Sequence, residues 1–236
     1  MNPILNEVRD KLLSSVDEKT KSTTQRFFKE KIRAYGVKVT TVSKIAQEYF
    51  RKVEDKSKDE VFQLCEELFK SGILEESFVA CKWSDCVKEY EEKDFKVFDR
   101  WVDVYVDNWA TCDTLCNHTV GSFIVAYPEY VERLIEWTCS ENRWKRRGAA
   151  VSLVVPAKKG LFLVEAFRIA DSLMGDKEDL VQKGFGWLLK EESRTKQGEV
   201  YEYVLSKRAV MPRTALRYAI ELMPQDMRKE AMRRIN

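Results

Sequence analysis

Val61-Phe62-Gln63-Leu64-Cys65-Glu66-Glu67-Leu68-Phe69 places Val61, Leu64, Cys65, Leu68 and Phe69 at steps of three, one, three and one. At 3.6 residues per turn these five side chains share one face of an α-helix. The period recurs at Ile4, Leu5, Val8 and Leu12, and again at Leu180, Gly184, Trp187 and Leu188. Val102-Asp103-Val104-Tyr105-Val106 alternates as a strand would, yet Phe98, Trp101, Val102 and Tyr105 also keep helical spacing. Nine glycines and five prolines in 236 residues supply too few turns for an all-β chain. The sequence predicts an all-α fold.

Breaks in the pattern fall near Gly36, Gly72, Asn108, Tyr127-Pro128, Ser140-Glu141-Asn142, Gly175-Asp176 and Met211-Pro212. They leave helices of roughly 12–18 residues joined by short turns, as expected of antiparallel helix pairs. A pair with its turns takes about 35–45 residues, the period of HEAT and armadillo repeats. The expectation is a single domain over residues 1–236: a HEAT-like, armadillo-like α-solenoid of paired antiparallel helices with a concave face. A compact helical bundle is the alternative. Lys52–Glu60 is charge-rich but short, and reads as a solvated turn between helices rather than a linker.

Charged residues make up 34% of the chain and hydrophobic ones 44%, a globular rather than a disordered balance. No run approaches 18 uninterrupted apolar residues, and the N-terminus lacks a basic stretch leading into an apolar one. A cytoplasmic protein without membrane contact is therefore expected. Six cysteines lie in helical segments without a disulfide-framework spacing, so reduced and mostly buried thiols are expected. Cys112, Cys116 and His118 could suggest a zinc corner, but His118 is the only histidine and a fourth ligand is missing, so no metal is expected. Asp99, Asp103 and Asp107 repeat every four residues and read as a solvated face rather than a two-metal site.

The net charge of +2 conceals an asymmetry. Residues 1–140 carry 21 basic against 26 acidic side chains, and residues 141–236 carry 20 against 13. A basic second half on a near-neutral chain is the footprint of a local polyanion-binding face. Arg143-Trp144-Lys145-Arg146-Arg147 is its densest cluster, directly after the helix-start signal Ser140-Glu141-Asn142. Lys183, Lys190 and Arg194 form a basic stripe on a later segment, and Arg213 and Arg217 follow Pro212. Guanidinium forks match phosphate oxygens, although Glu191 and Glu221 are equally available to pair these cations.

Trp109 and Asp113, four apart in Asn108-Trp109-Ala110-Thr111-Cys112-Asp113, share a helical face. An aromatic ring beside a carboxylate can stabilise a cation through the ring quadrupole and through direct charge. A second indole, Trp187, stands in Phe185-Gly186-Trp187-Leu188-Leu189-Lys190-Glu191. A cation carried on a polyanion, such as an alkylated purine in DNA, would suit such groups. Taken alone, each tryptophan also reads as core and Asp113 as a cap or ion-pair partner.

Three segments together, Trp109–Asp113, Asn142–Ala150 and Val181–Glu191, resemble the AlkD-type DNA alkylation repair enzymes, a HEAT-like repeat DNA glycosylase family. Arg26–Glu30 and Tyr35–Thr40 look like that family's opening helices, so the likeness covers most of the chain. The resemblance implies an α-solenoid holding duplex DNA on its concave face. It implies excision of cationic N3- and N7-alkylated purines, such as 3-methyladenine and 7-methylguanine, with no metal and no organic cofactor. Asp113 matches the family's catalytic aspartate, Trp109 and Trp187 the pair against the lesion's deoxyribose, and Arg147 an arginine near the DNA backbone. Lys38 falls at a polar position near DNA, and Arg143, Arg146, Lys190 and Arg194 are the further candidate phosphate contacts. The chain has Ala110, Lys190 and Phe27 where other members can carry an acid, an arginine and a tyrosine. The implied partner is double-stranded DNA containing alkylated bases, bound by a monomer that requires no protein partner. A non-catalytic module for distorted or branched DNA and a protein-interaction scaffold are the other readings.

Overall fold

A computed structural model describes residues 2–87 and 89–233. Among the described residues every regular element is helical, and one isolated bridge, Arg33 to Ile73, is the sole extended pairing. The chain divides into two compact units, Met1–Leu115 and Cys116–Asn236. The all-α reading holds. Within each unit helices near one another in sequence pack side by side, consistent with an α-solenoid.

In the first unit the segment that fixed the fold is the helix Lys58–Phe69. Ser57 and Glu60 close a capping box at its start, satisfying two otherwise orphaned N–H groups. Its predicted stripe is buried, and the helix packs on Leu74–Cys86. Phe62 meets Phe98 and Trp101 edge-on at centroid distances of 5.5 and 5.4 Å, so Asp94–Val104 completes an aromatic core. The helix Val39–Phe50 also packs on Leu74–Cys86, with Pro3–Ser14 against it in turn.

Between residues 28 and 38 the chain is not helical, a departure from the opening helices that the resemblance suggested. Its order comes from two buried acids. Glu75 accepts hydrogen bonds from the backbone N–H groups of Tyr35, Gly36 and Val37 at 2.9, 2.8 and 3.0 Å. Glu76 accepts from the Tyr35 hydroxyl at 2.6 Å and from Arg9 at 2.9 Å. Buried carboxylates need such donors; the strap's backbone supplies them to Glu75, and the side chains of Tyr35 and Arg9 supply them to Glu76. Gly36 (φ +93°) is required twice over, because a Cβ there would also lie 2.4 Å from Lys21 Cβ.

The second unit centres on its longest helix, Asp179–Glu192, which packs against Arg143–Val151, Leu163–Ser172 and Arg213–Ala219. Gly186 lets the last of these come close: a Cβ would sit 2.7 Å from the Ala215 carbonyl oxygen. Helices here are shorter than predicted. Cys116–Val120 is a single π turn, Val154–Ala157 spans four residues around Pro156, and Pro128–Tyr130 is a short 3-10 turn. Regular spacing of apolar residues ran across such corners, because packed turns bury side chains as helices do.

Candidate functional site

Asn108 sets the first group. Only 3% exposed, its side chain accepts from the Thr111 N–H at 2.9 Å and donates to Asp107 at 2.7 Å, so the helix Trp109–Leu115 begins at Trp109. Ala110, Thr111, Cys112 and Leu115 are buried, which leaves Trp109 and Asp113 half-buried on the remaining face. The Trp109 indole donates its N–H to the Phe27 carbonyl at 3.1 Å. Its ring stacks on Phe28 at 5.5 Å between centroids and 23° between planes. This tryptophan is thus a tethered surface ring, not core.

Lys38, also in the first unit, is exposed and lies 3.0 Å from Asp17. Hydrogen bonds from the Thr20 hydroxyl and from Lys38 hold the Asp17 carboxyl down to about 2, so Asp17 is ionised at neutral pH.

The second unit holds the remaining candidates. Asn142 caps Arg143–Val151 by accepting from the Trp144 N–H at 2.9 Å. Arg143 lies over the Trp144 ring, 4.6 Å from its centroid, and 3.3 Å from Glu178. Arg146 reaches Asp176 at 2.6 Å and the carbonyls of Ser140 and Glu141 at 2.8 and 2.9 Å. That set makes Arg146 a clamp between two loops. Arg147 is 5% exposed, donates to the Leu180 carbonyl, and runs its stem across Gly184.

Trp187 is half-buried on Asp179–Glu192 and donates its indole N–H to Glu191 at 3.1 Å. Lys190 pairs with Glu221 at 3.3 Å, and Arg194 with Glu191 at 2.5 Å. Each of Arg143, Arg146, Lys190 and Arg194 therefore has an acidic partner within the chain, and for Lys190 and Arg194 this is the alternative that the sequence had left open. Packing of Arg143–Val151 on Asp179–Glu192 brings Arg147 to the helix that carries Trp187.

Sequence reasoning treated Glu191 as a surface partner, and it missed Glu192 and Glu75 as buried acids. Neither Glu192 oxygen has a hydrogen-bond partner, and burial, reinforced by Glu165 and opposed by Lys196, pushes its carboxyl up to about 8. The four-residue step from Trp187 to Glu191 was the one available signal for that contact. Among the described residues no three His, Cys, Asp or Glu side chains gather so as to hold a metal ion, and no helix is long and apolar enough to cross a membrane. Four of the six cysteines are buried, while Cys86 is half-buried and Cys139 exposed.

These helices are shared with a solved structure described as a predicted DNA alkylation repair enzyme from Enterococcus faecalis. The TM-score is 0.79 at 17% identity, covering 89% of this chain and 98% of that one. At that identity the likeness defines the fold. The family model for the DNA alkylation repair enzyme matches residues 8–223. The chain belongs to the DNA alkylation repair enzyme family, which makes DNA its substrate and repair its task. No curated protein matches it.

Proposed function

We propose that the chain is an alkylpurine DNA N-glycosylase of base excision repair, acting on cationic N3- and N7-alkylated purines in duplex DNA. The observation that carries the reading is the half-buried pair of Trp109 and Asp113 on one face of an Asn108-capped helix, in a chain of this family. Alkylation makes the purine cationic, so its bond to C1′ breaks with the electron pair neutralising the base. The sugar is left as an oxocarbenium-like cation. Asp113 stabilises that charge and orients the water whose oxygen joins C1′, taking up the released proton. A preorganised charge of this kind contributes on the order of 10²–10³ in rate. Trp109 and Trp187 contact the lesion's deoxyribose, at about 0.5–2 kcal/mol for each cation–ring contact.

Arg147 and Lys38 contribute charge toward the DNA backbone. Arg143, Arg146, Lys190 and Arg194 exchange part of their internal pairing for phosphate. The chemistry assigned to Asp113 calls for no cofactor, and the protein acts as a cytoplasmic monomer over residues 1–236.

Purified protein incubated with duplexes containing N7-methylguanine or N3-methyladenine should release the free base and leave an abasic site, while a neutral lesion is left in place. Binding without release, at any excess of protein, would replace this reading with that of a non-catalytic DNA-binding module.

A further inference from the structure

The two tryptophans singled out in the sequence, one in each compact unit, are held by different chemistry. Trp109 gives its N–H to a neutral backbone carbonyl, whereas Trp187 gives its N–H to a carboxylate. An indole N–H needs one acceptor, and a carbonyl suffices. Glu191 is 3% exposed, and a buried carboxylate is costly unless well paired. Its two oxygens divide the work: one accepts from Trp187 and the other from Arg194. Burial opposes ionisation, but the bonds from Arg194 and then Trp187 prevail and hold the carboxyl below its usual range. Glu191 is therefore an anion at neutral pH.

We propose that Glu191 is a positioning residue for Trp187, fixing the indole edge and enriching the ring face so that it favours a cationic ligand; this rests on the glycosylase reading. A carboxylate at the N–H polarises the ring toward its π face, the side on which a cation is attracted. Trp187 then contributes more to a charged lesion, and to the sugar cation, than to a neutral nucleoside. Arg194, bonded to the other carboxylate oxygen, keeps the carboxylate charged.

The test is a double-mutant cycle on Trp187→Phe and Glu191→Ala, with Glu191→Gln as the conservative variant. The Trp187 indole N–H resonance, identified by its disappearance in Trp187→Phe, should move upfield in Glu191→Ala. Release of N7-methylguanine should fall about tenfold in Glu191→Ala, the scale of one charge-assisted hydrogen bond. In the Trp187→Phe background the same change should have almost no effect. Glu191→Gln retains an acceptor, so it should recover part of the loss. An unmoved resonance, or an equal loss with and without the indole, overturns the proposal. If the unaltered protein releases no base, the glycosylase reading falls; the cycle is then scored on duplex affinity, where additivity also overturns the Glu191–Trp187 link.

Discussion

The stem of Arg147 crosses Gly184, where a Cβ would lie 3.4 Å from the arginine Cγ, and its guanidinium ends on the Leu180 carbonyl. A cation placed this way is both a packing element and a charge. Arg147→Met separates the two. It keeps most of the stem, so the melting temperature should change little. Duplex affinity should fall several-fold, and the dependence of binding on log salt should flatten by about one unit if a phosphate contact is lost. Unchanged affinity with a lowered melting temperature would make Arg147 a packing residue only.

Two glycines on one helix should respond oppositely to alanine. At Gly184 the nearest atoms are at ordinary contact distance, so Gly184→Ala should stabilise by about 0.5–1 kcal/mol through the helix backbone. At Gly186 the added carbon meets the Ala215 carbonyl at 2.7 Å and Tyr218 Cβ at 2.8 Å. Arg213–Ala219 must then move, and Gly186→Ala should destabilise by about 1–3 kcal/mol. Urea unfolding of both variants checks the signs. A stabilised Gly186→Ala would contradict the close approach.

Asp113→Asn keeps size and removes charge. Base release should fall by at least about 10², with duplex affinity within twofold of the parent. The salt slope of binding should stay the same, because the phosphate contacts are elsewhere. Equal loss of affinity and release would give Asp113 a structural role.

Glu192 predicts a pH dependence. Its folded-state value of about 8 stands above the ordinary 4.5, so the folded protein holds a proton that the unfolded chain releases. The stability from this group is complete below pH 4.5, declines as pH rises toward 8, and is gone above it. Glu192→Gln stays neutral throughout. Its melting temperature should match the parent's at pH 4.5 and exceed it at pH 8.5, by about 2–4 °C for each kcal/mol relieved. Parallel pH curves for the two proteins would refute it.

Helical spacing made the fold legible because each buried face repeats its period, as Val61 to Phe69 does. Asn108 and Asn142 were legible as breaks because a side-chain cap is a local device. The strap over residues 28–38 was not, since Glu75 pins it from about forty residues away and no local pattern encodes that contact. In the site, Trp109 and Asp113 were found through their spacing. Partner choice was hidden for Arg143 and Arg146, because Glu178 and Asp176 become their neighbours only after folding, whereas Glu221 beside Lys190 was one of the acids the sequence offered. Glu192 was hidden for the same reason: a glutamate reads as solvated until packing encloses it.

Phe28 has a consequence for how the indole at 109 can be used. A flat ring has two sides, and the phenyl group already covers one of them. Under the proposed function, the lesion's sugar would stack on the side that the phenyl group leaves. Replacing that phenyl with a small residue would open a second approach and blur whatever stereochemical choice the one-sided ring imposes.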